Sequence, residues 1–377
     1  MIREDGAEND VSRRRRPRRK RRRLNPRVVP VMFALLLFIL IGGFAAGRFL
    51  YQKYSPSKEM ADLNEYFGLE SDQDMAVVVN QENVGDMARL IDGKVYVHVD
   101  TVAQYIDDRY YWDATENLYL YALPKELVSV GVGSSSYTVA KASQDEGYVI
   151  LRADGSDAYV ALDFLQKYTN FTYKNWEEPN RVRIVTAFGS KDIVTVQKDT
   201  AVRWKAGIKS DILSKVSKGT ELFVLDEPEE IDQWTRVLTE DGFIGYIRDS
   251  KISDIGQKEE TAPEFTEPEY TSISKDYKIN MTWHQVTNME ANNYLLNKIA
   301  DAKGLTTISP TWFSIADTDG NISSLASQSY VTYAHQQGLE VWGLVDNFKD
   351  GVSTYETLSR TSSRQRLVNQ LTAAAIQ

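Results

Sequence analysis

The side chains best suited to chemistry lie in the last hundred residues, and they are aromatic, amide and carboxylate groups. Trp283 and Gln285, Trp312 and Phe313, and Asp346, Asn347 and Phe348 each follow a short apolar run of strand character. Aromatic faces can stack on flat rings while amides and carboxylates bind hydroxyls, so these types suit a ligand-binding surface. Each aromatic has a competing role as a core plug, and Asp346 could instead cap a helix. Trp342 sits inside its run and is expected in the core. Other chemistries are poorly provided for. The chain has no cysteine, which excludes a disulfide framework, a thiolate metal site and a Cys nucleophile. His98, His284 and His335 stand far apart without ligand spacing, and neither a metal nor any other cofactor is expected.

The elements that must position these groups alternate strand and helix. Ile279–Trp283, Leu305–Ser309 and Leu339–Val345 read as strands. Met289–Lys303 reads as a helix with Leu295, Leu296 and Ile299 on one face and Gly304 at its end. Ser323 or Ser324 would cap a second helix running to Gly338, and Arg364–Ile376 a third, with Leu367, Val368 and Leu371 inward. Strand starts spaced by about 30 residues are those of a parallel α/β fold, either a doubly wound sheet or a (β/α)8 barrel. No Gly-rich phosphate loop follows any strand, which weakens the nucleotide-binding version.

Four motifs occur in order: Ile308-Ser309-Pro310-Thr311-Trp312-Phe313-Ser314-Ile315, Asp319-Gly320-Asn321-Ile322, Tyr330-Val331-x-x-Ala334-His335-x-x-Gly338, and Val341-Trp342-Gly343-Leu344-Val345-Asp346-Asn347-Phe348. Together they resemble the start of a family-18 glycoside hydrolase of the spore-germination and cortex-lysing type. The resemblance implies that 276–377 holds the first three βα units of a TIM barrel that cuts β-1,4 bonds beside N-acetylglucosamine in peptidoglycan or chitin. It also implies substrate assistance, in which the N-acetyl carbonyl attacks the anomeric carbon while a Glu protonates the leaving oxygen. The family's acids lie in Asp-x-x-Asp-x-Asp-x-Glu after the fourth strand. No Asp-x-Glu occurs anywhere in the 377 residues, so this chain has no assignable catalytic residue. A whole barrel needs about 250 residues. The expectation is therefore an N-terminal fragment, inactive as it stands, whose intact form is a chitinase-like enzyme. The alternatives are a non-catalytic peptidoglycan-binding or scaffolding protein, or a barrel relative that has lost its acids. On any of these readings Trp283, Gln285, Trp312, Phe313, Asp346, Asn347 and Phe348 are the candidate substrate-binding residues, at the C-terminal ends of the strands.

Upstream, residues 75–187 contain a repeat at an offset of 63, which lays Tyr96-Val97-His98-Val99-Asp100 over Tyr159-Val160-Ala161-Leu162-Asp163. Each copy reads as strand, helix opened by an Asp N-cap, aromatic strand, Asn turn and strand. The last strand of copy two, Arg181-Val182-Arg183-Ile184-Val185, alternates so that Val182 and Ile184 face a core and the arginines face water. This repeat resembles the stalk-like domain from the N-terminus of copper amine oxidases, with no copper chemistry implied. Tyr110, Tyr111, Trp112 and Trp176 are expected to fill its core. Residues 193–254 carry short strands at 193–196, 221–225, 234–238 and 243–247, and resemble a bacterial SH3-type domain through Trp234 and Gly242-Phe243-Ile244-Gly245-Tyr246-Ile247. Residues 255–275, rich in Glu, Thr and Pro, read as an extended linker, and 48–74 as a polar stalk.

The N-terminus fixes where all this sits. Val28–Gly47 is 20 residues without a charge, of which 12 are Val, Phe, Leu or Ile, enough to span a bilayer as a helix. Residues 1–27 hold 12 Lys/Arg against 4 Asp/Glu, including ten basic residues among the eleven from Arg13 to Arg23, and the positive-inside bias keeps this tail in the cytoplasm. The expected localisation is the cell membrane, single-pass, with the C-terminal part outside at the cell wall. Small residues at Gly43, Ala45, Ala46 and Gly47 also fit a cleavable signal, but the long charged segment and long span favour an anchor. The remaining 350 residues are acidic, with 32 basic against 49 acidic side chains, so nucleic acid is not an expected partner. The partners expected are a cell-wall glycan and, through 28–47, the lipid bilayer. The fold class expected is thus multidomain: a transmembrane helix, a repeated αβ stalk domain, a small SH3-like β-barrel and an α/β part belonging to a TIM barrel.

Overall fold

The computed structural model describes residues 29–227 and 231–377. The basic tail lies outside the described residues, as does Val28. The chain is mixed α+β and falls into two compact units, one containing residues up to Lys58 together with Gly207–Ser210, the other Glu59–Ala206 with Asp211–Gln377.

The first unit is dominated by a helix, Val29–Tyr54, which continues seven residues past the end of the apolar run at Gly47. Nothing between Arg48 and Tyr54 breaks a helix, and Pro56 ends it. Its apolar side chains are exposed throughout, so no protein covers them. By length and composition it is able to cross a membrane or to serve as a signal sequence.

The second unit is built on one strand, Asp74–Val79, that is buried at every position. Met75, Val77 and Val79 enter a core with Tyr96, Leu162, Phe164, Val182 and Ile184. Ala76 and Val78 enter another on the opposite face, with Phe67, Leu213, Phe223, Leu238 and Phe243. The strand lies in a seven-stranded sheet ordered 172–176, 181–185, 74–79, 82–91, 94–98, 157–161, 151–154. The two repeat copies meet in it, with Tyr159, Val160 and Ala161 paired antiparallel to His98, Val97 and Tyr96. Their aromatic hairpins part company. That of copy two stays in this sheet, while that of copy one, Tyr110–Asp113 and Leu118–Ala122, starts a separate five-stranded antiparallel sheet. Tyr110 is buried and stacked on Tyr119 and Tyr121, whereas Tyr111 is exposed beneath the Arg364 guanidinium. Asp100 and Asp163 lie in the first helical turn and not at the cap, which His98 provides in copy one by accepting from the Asp100 amide. Asp163 is drawn off to Lys94, 2.7 Å away.

Copy two's last strand corrects a second expectation. Arg181 and Arg183 do not face water but are 5% and 9% exposed, because another sheet covers them. Arg181 donates to the Asp241 carboxylate and carbonyl at 2.8 and 2.6 Å and lies over Phe243, while Arg183 reaches Glu260 at 2.8 Å over Phe223. The covering sheet has seven antiparallel strands, ordered 212–216, 200–203, 244–248, 234–238, 221–224, 189–195, 256–260. Three of them were not anticipated. The last, Gly256–Glu260, removes the start of the expected linker, since it pairs with Gly189–Ile193 and is tied by Arg183 and by Lys258 to Glu221. The expected stalk is shortened too. Leu63–Phe67 is a helical turn capped by Asp62 and ended by Gly68 at φ +72°, with Phe67 buried. Tyr66 exchanges hydrogen bonds with the Ile244 amide and carbonyl, and burial pushes its hydroxyl pKa up to about 12.

The C-terminal part has three parallel strands in sequence order: Met281–His284, Thr307–Ile315, and a third broken into Glu340–Val341 and Leu344–Asp346. An antiparallel strand, Ile322–Ser324, is added to the middle one. These form an open sheet, and no barrel is present among the described residues. The first helix shrinks to a 3-10 turn, Glu290–Tyr294, and Leu295–Ile299, where the Asn292 side chain donates to the Met289 carbonyl as well as to the Leu325 carbonyl and accepts from the Trp312 indole. Ser327, not Ser323 or Ser324, caps the helix Gln328–Gln336, since the earlier serines are in the added strand. The last helix, Thr361–Ile376, begins three residues early and leaves Val368 exposed. Its own cap residue offers no side-chain bond. Asp113 accepts from the Thr361 amide at 2.6 Å and Glu116 from the Ser362 amide at 2.8 Å, so a distant hairpin supplies the cap.

The Arg181 contact yields a prediction. Asp241→Ala leaves the buried Arg181 guanidinium with carbonyl partners but no carboxylate, and should cost about 2–3 kcal/mol in urea unfolding of residues 59–377. Adding Arg181→Met should recover most of that loss, and a double variant as unstable as the sum of the singles would count against the pairing.

Candidate functional site

In the parallel sheet, Trp283 pairs with Ser309, while Thr307 and Ile308 pair with Glu340 and Val341. The Trp342 amide donates to the Ile308 carbonyl at 3.0 Å, and Ser309 Oγ donates to the Trp342 carbonyl at 2.8 Å, so Trp342 also stands beside Ser309. Side chains alternate along a strand. Ile308 is wholly buried under the helices with Leu295, Tyr330, Ala334 and Leu339, and the row Trp283, Ser309, Trp342 therefore lies on the opposite face. Both indoles are accessible there, Trp283 at 68% and Trp342 at 41%. Two strand spacings separate them, about 9.5 Å. That face is a shelf with an accessible indole at each side; Ser309 between them is buried at 5% exposure and its hydroxyl is spent on the Trp342 carbonyl.

Trp342 was expected in the core, and the alternation argues otherwise. It shares parity with Glu340 and opposes Leu339 and Val341, so the charged Glu340 was the signal in the sequence. Its Nε1 donates to Glu340 Oε2 at 3.1 Å. Lys275 and the Tyr277 hydroxyl also bind Glu340, and these hydrogen bonds, Lys275 foremost, hold its carboxyl below the usual range.

The seven residues singled out in the sequence divide. Trp283, Gln285, Asn347 and Phe348 are exposed, Phe348 at 84%, and Asp346 is half-buried at the end of the third strand. Asp346 accepts from Ser314 Oγ at 3.0 Å and from the Phe348 amide at 3.2 Å, and Asn347 donates to Thr354 Oγ1 at 2.6 Å. Trp312 and Phe313 are corrected to core residues at 6% and 8% exposure. Trp312 Nε1 donates to Asn292 Oδ1 at 2.8 Å and its ring packs edge-on against Tyr330. Phe313 packs where a Cβ on Gly343 would stand 2.7 Å from its ring, which accounts for the break in the third strand at that glycine. Among the described residues, no three His, Asp or Glu side chains cluster closely enough to hold a metal ion.

No family model and no curated protein matches the chain. Two solved structures are similar to part of it, NlpC2 and NlpC1 from Trichomonas vaginalis, each at 12% identity over 38% of this chain. The matched part is 42% and 40% of those chains, less than half of either, and the TM-score is 0.15 in both. Similarity at that level transfers neither fold nor activity. The family-18, amine-oxidase-type and SH3-type resemblances rest on the quoted residues alone.

Beneath the shelf, His284 Nδ1 is 2.9 Å from the buried Tyr330 hydroxyl. Burial, aided by the Lys298 charge, holds the imidazole below its ordinary pKa. The unfolded chain binds a proton near pH 6.5 that the folded one refuses, so stability is full above that value and falls as pH drops below it. Unfolding midpoints measured from about pH 7 to 5 should show this decline in the native chain and a shallower one in His284→Gln. An unchanged slope in the variant would remove His284 as its source.

Proposed function

We propose that the chain is an exported, membrane-anchored protein that presents a glycan-binding sheet face at the cell wall, and that its C-terminal part is the opening of a family-18 type glycoside hydrolase. The observation that carries this reading is the register placing Trp283 and Trp342 on the open face of three parallel strands, on either side of Ser309. Flat aromatic groups at that separation suit two pyranose rings of a β-1,4-linked chain, and Gln285, Asp346, Asn347 and Phe348 extend the surface at the strand ends. Sequential parallel order is that of a (β/α)8 barrel and agrees with the four motifs. The helix Val29–Tyr54 supplies the anchor, with the basic tail inside the cell.

Binding without hydrolysis is favoured for residues 1–377. The Glu340 carboxyl on this face is held below its usual range, and both Asp346 oxygens already accept hydrogen bonds. Neither is placed to protonate a glycosidic oxygen.

Co-sedimentation of the protein with insoluble peptidoglycan and with chitin tests the proposal. Trp283→Ala and Trp342→Ala should each weaken retention by about three- to tenfold, the loss of one stacked ring. Retention that survives the double substitution would sink the shelf as the binding face. Release of reducing ends by the 377-residue protein would overturn the binding-only role.

A further inference from the structure

The apolar helix closes in an unusual way. Its uncharged stretch ends at Gly47, but the helix continues for two turns through Arg48, Phe49, Leu50, Tyr51, Gln52, Lys53 and Tyr54, with Phe49, Tyr51 and Tyr54 each more than 60% exposed. The final carbonyls of a helix have no partner within it. Here Lys209, more than 150 positions along the chain, donates from Nζ to the carbonyls of Gln52 and, at 2.7 Å, Ser55. The Ser57 amide donates to the Ile208 carbonyl at 2.7 Å. The loop Gly207–Ser210 is therefore fastened to the helix end, and its ammonium sits where the helix dipole is negative.

Depth follows from helix geometry. The apolar part from Val29 to Gly47 covers about 28 Å at 1.5 Å per residue, close to the hydrocarbon thickness of a bilayer. Arg48–Tyr54 then falls at headgroup level, where Tyr side chains concentrate. The loop, bonded to Gln52, Ser55 and Ser57, falls there as well. Residues 29–58 and 207–210 contain Arg48, Lys53, Lys58 and Lys209 and no acidic residue.

We propose that the loop Gly207–Ser210 is a second membrane contact, forming with Arg48, Lys53 and Lys58 a cationic collar that binds anionic lipid headgroups of the leaflet at the C-terminal end of the helix. Lys209 spends two of its three N–H groups on carbonyls and keeps the third for a lipid phosphate oxygen. Ile208 beside it offers an apolar side chain to the interface. The inference rests on the helix spanning the bilayer.

The chain's lack of cysteine makes a direct test possible. Gly207 has nothing within 4 Å of the point where a Cβ would stand, so Gly207→Cys accepts an environment-sensitive fluorophore without displacing a neighbour. The full-length labelled protein is reconstituted in phosphatidylcholine vesicles with and without phosphatidylglycerol. The expected result is blue-shifted emission, quenched by headgroup-level nitroxide lipids, stronger with phosphatidylglycerol and lost in the Lys209→Glu variant. Water-like emission in both vesicles, or an equal shift in both, overturns the collar. A second label at Ile39→Cys separates the two ideas. Quenching there by mid-bilayer nitroxides together with a water-like loop defeats the collar alone, and no quenching at Ile39 defeats the spanning helix and the collar with it.

Discussion

The larger unit depends on a pair of parallel strands, Asp74–Val79 and Arg181–Val185, that has protein on both faces. One face is a conventional apolar core. The other mixes Ala76 and Val78 with two arginines, which can be buried only because Asp241, Glu260, backbone carbonyls and two phenyl rings meet them. A guanidinium out of water without such partners would cost more than its packing returns. The two seven-stranded sheets are consequently joined by directional contacts as well as by area, and their separate cores are held in a single register. A Cβ added at Gly242, in the turn that also carries Asp241, would stand 3.6 Å from Val78 Cγ2, so that turn lies close over the strand.

The same principle operates at the other end of the chain. The helix Thr361–Ile376 has no cap of its own, and Asp113 and Glu116 from the hairpin of the first repeat copy supply it. Burial alone would raise the Asp113 carboxyl, but hydrogen bonds from Thr361 and the Glu116 amide, with the Arg364 charge, hold it below the ordinary range. A charged cap therefore persists into acidic conditions. The chain's modules complete one another's unsatisfied groups.

Function on this view is a matter of which sheet face is left uncovered. The helices of the C-terminal part cover the Ile308 side and bury Trp312 and His284, while two indoles remain accessible on the opposite side. Trp283 and Trp342 belong to that side by register. Their backbones stand two strand spacings apart, which sets the separation from which the two rings project.

What the sequence determined by itself was local. The apolar helix, the repeat, the alternating strands and the order of the three parallel strands were legible because each is written in periodicity or capping residues close together in the chain. Trp283, Gln285, Asn347 and Phe348 were likewise placed at accessible strand ends. Tertiary structure decided what lay across from them. Arg181 and Arg183 read as a wet face because the groups that cover them, Phe223, Asp241, Phe243 and Glu260, come 40 or more positions later. Gln257–Glu260 read as linker because its strand partner at 189–193 is equally distant. Trp312 and Phe313 read as ligand-facing because their cover, Asn292 and Gly343, comes from other units of the fold. Burial is a property of pairs of segments, and periodicity reports only one member of each pair.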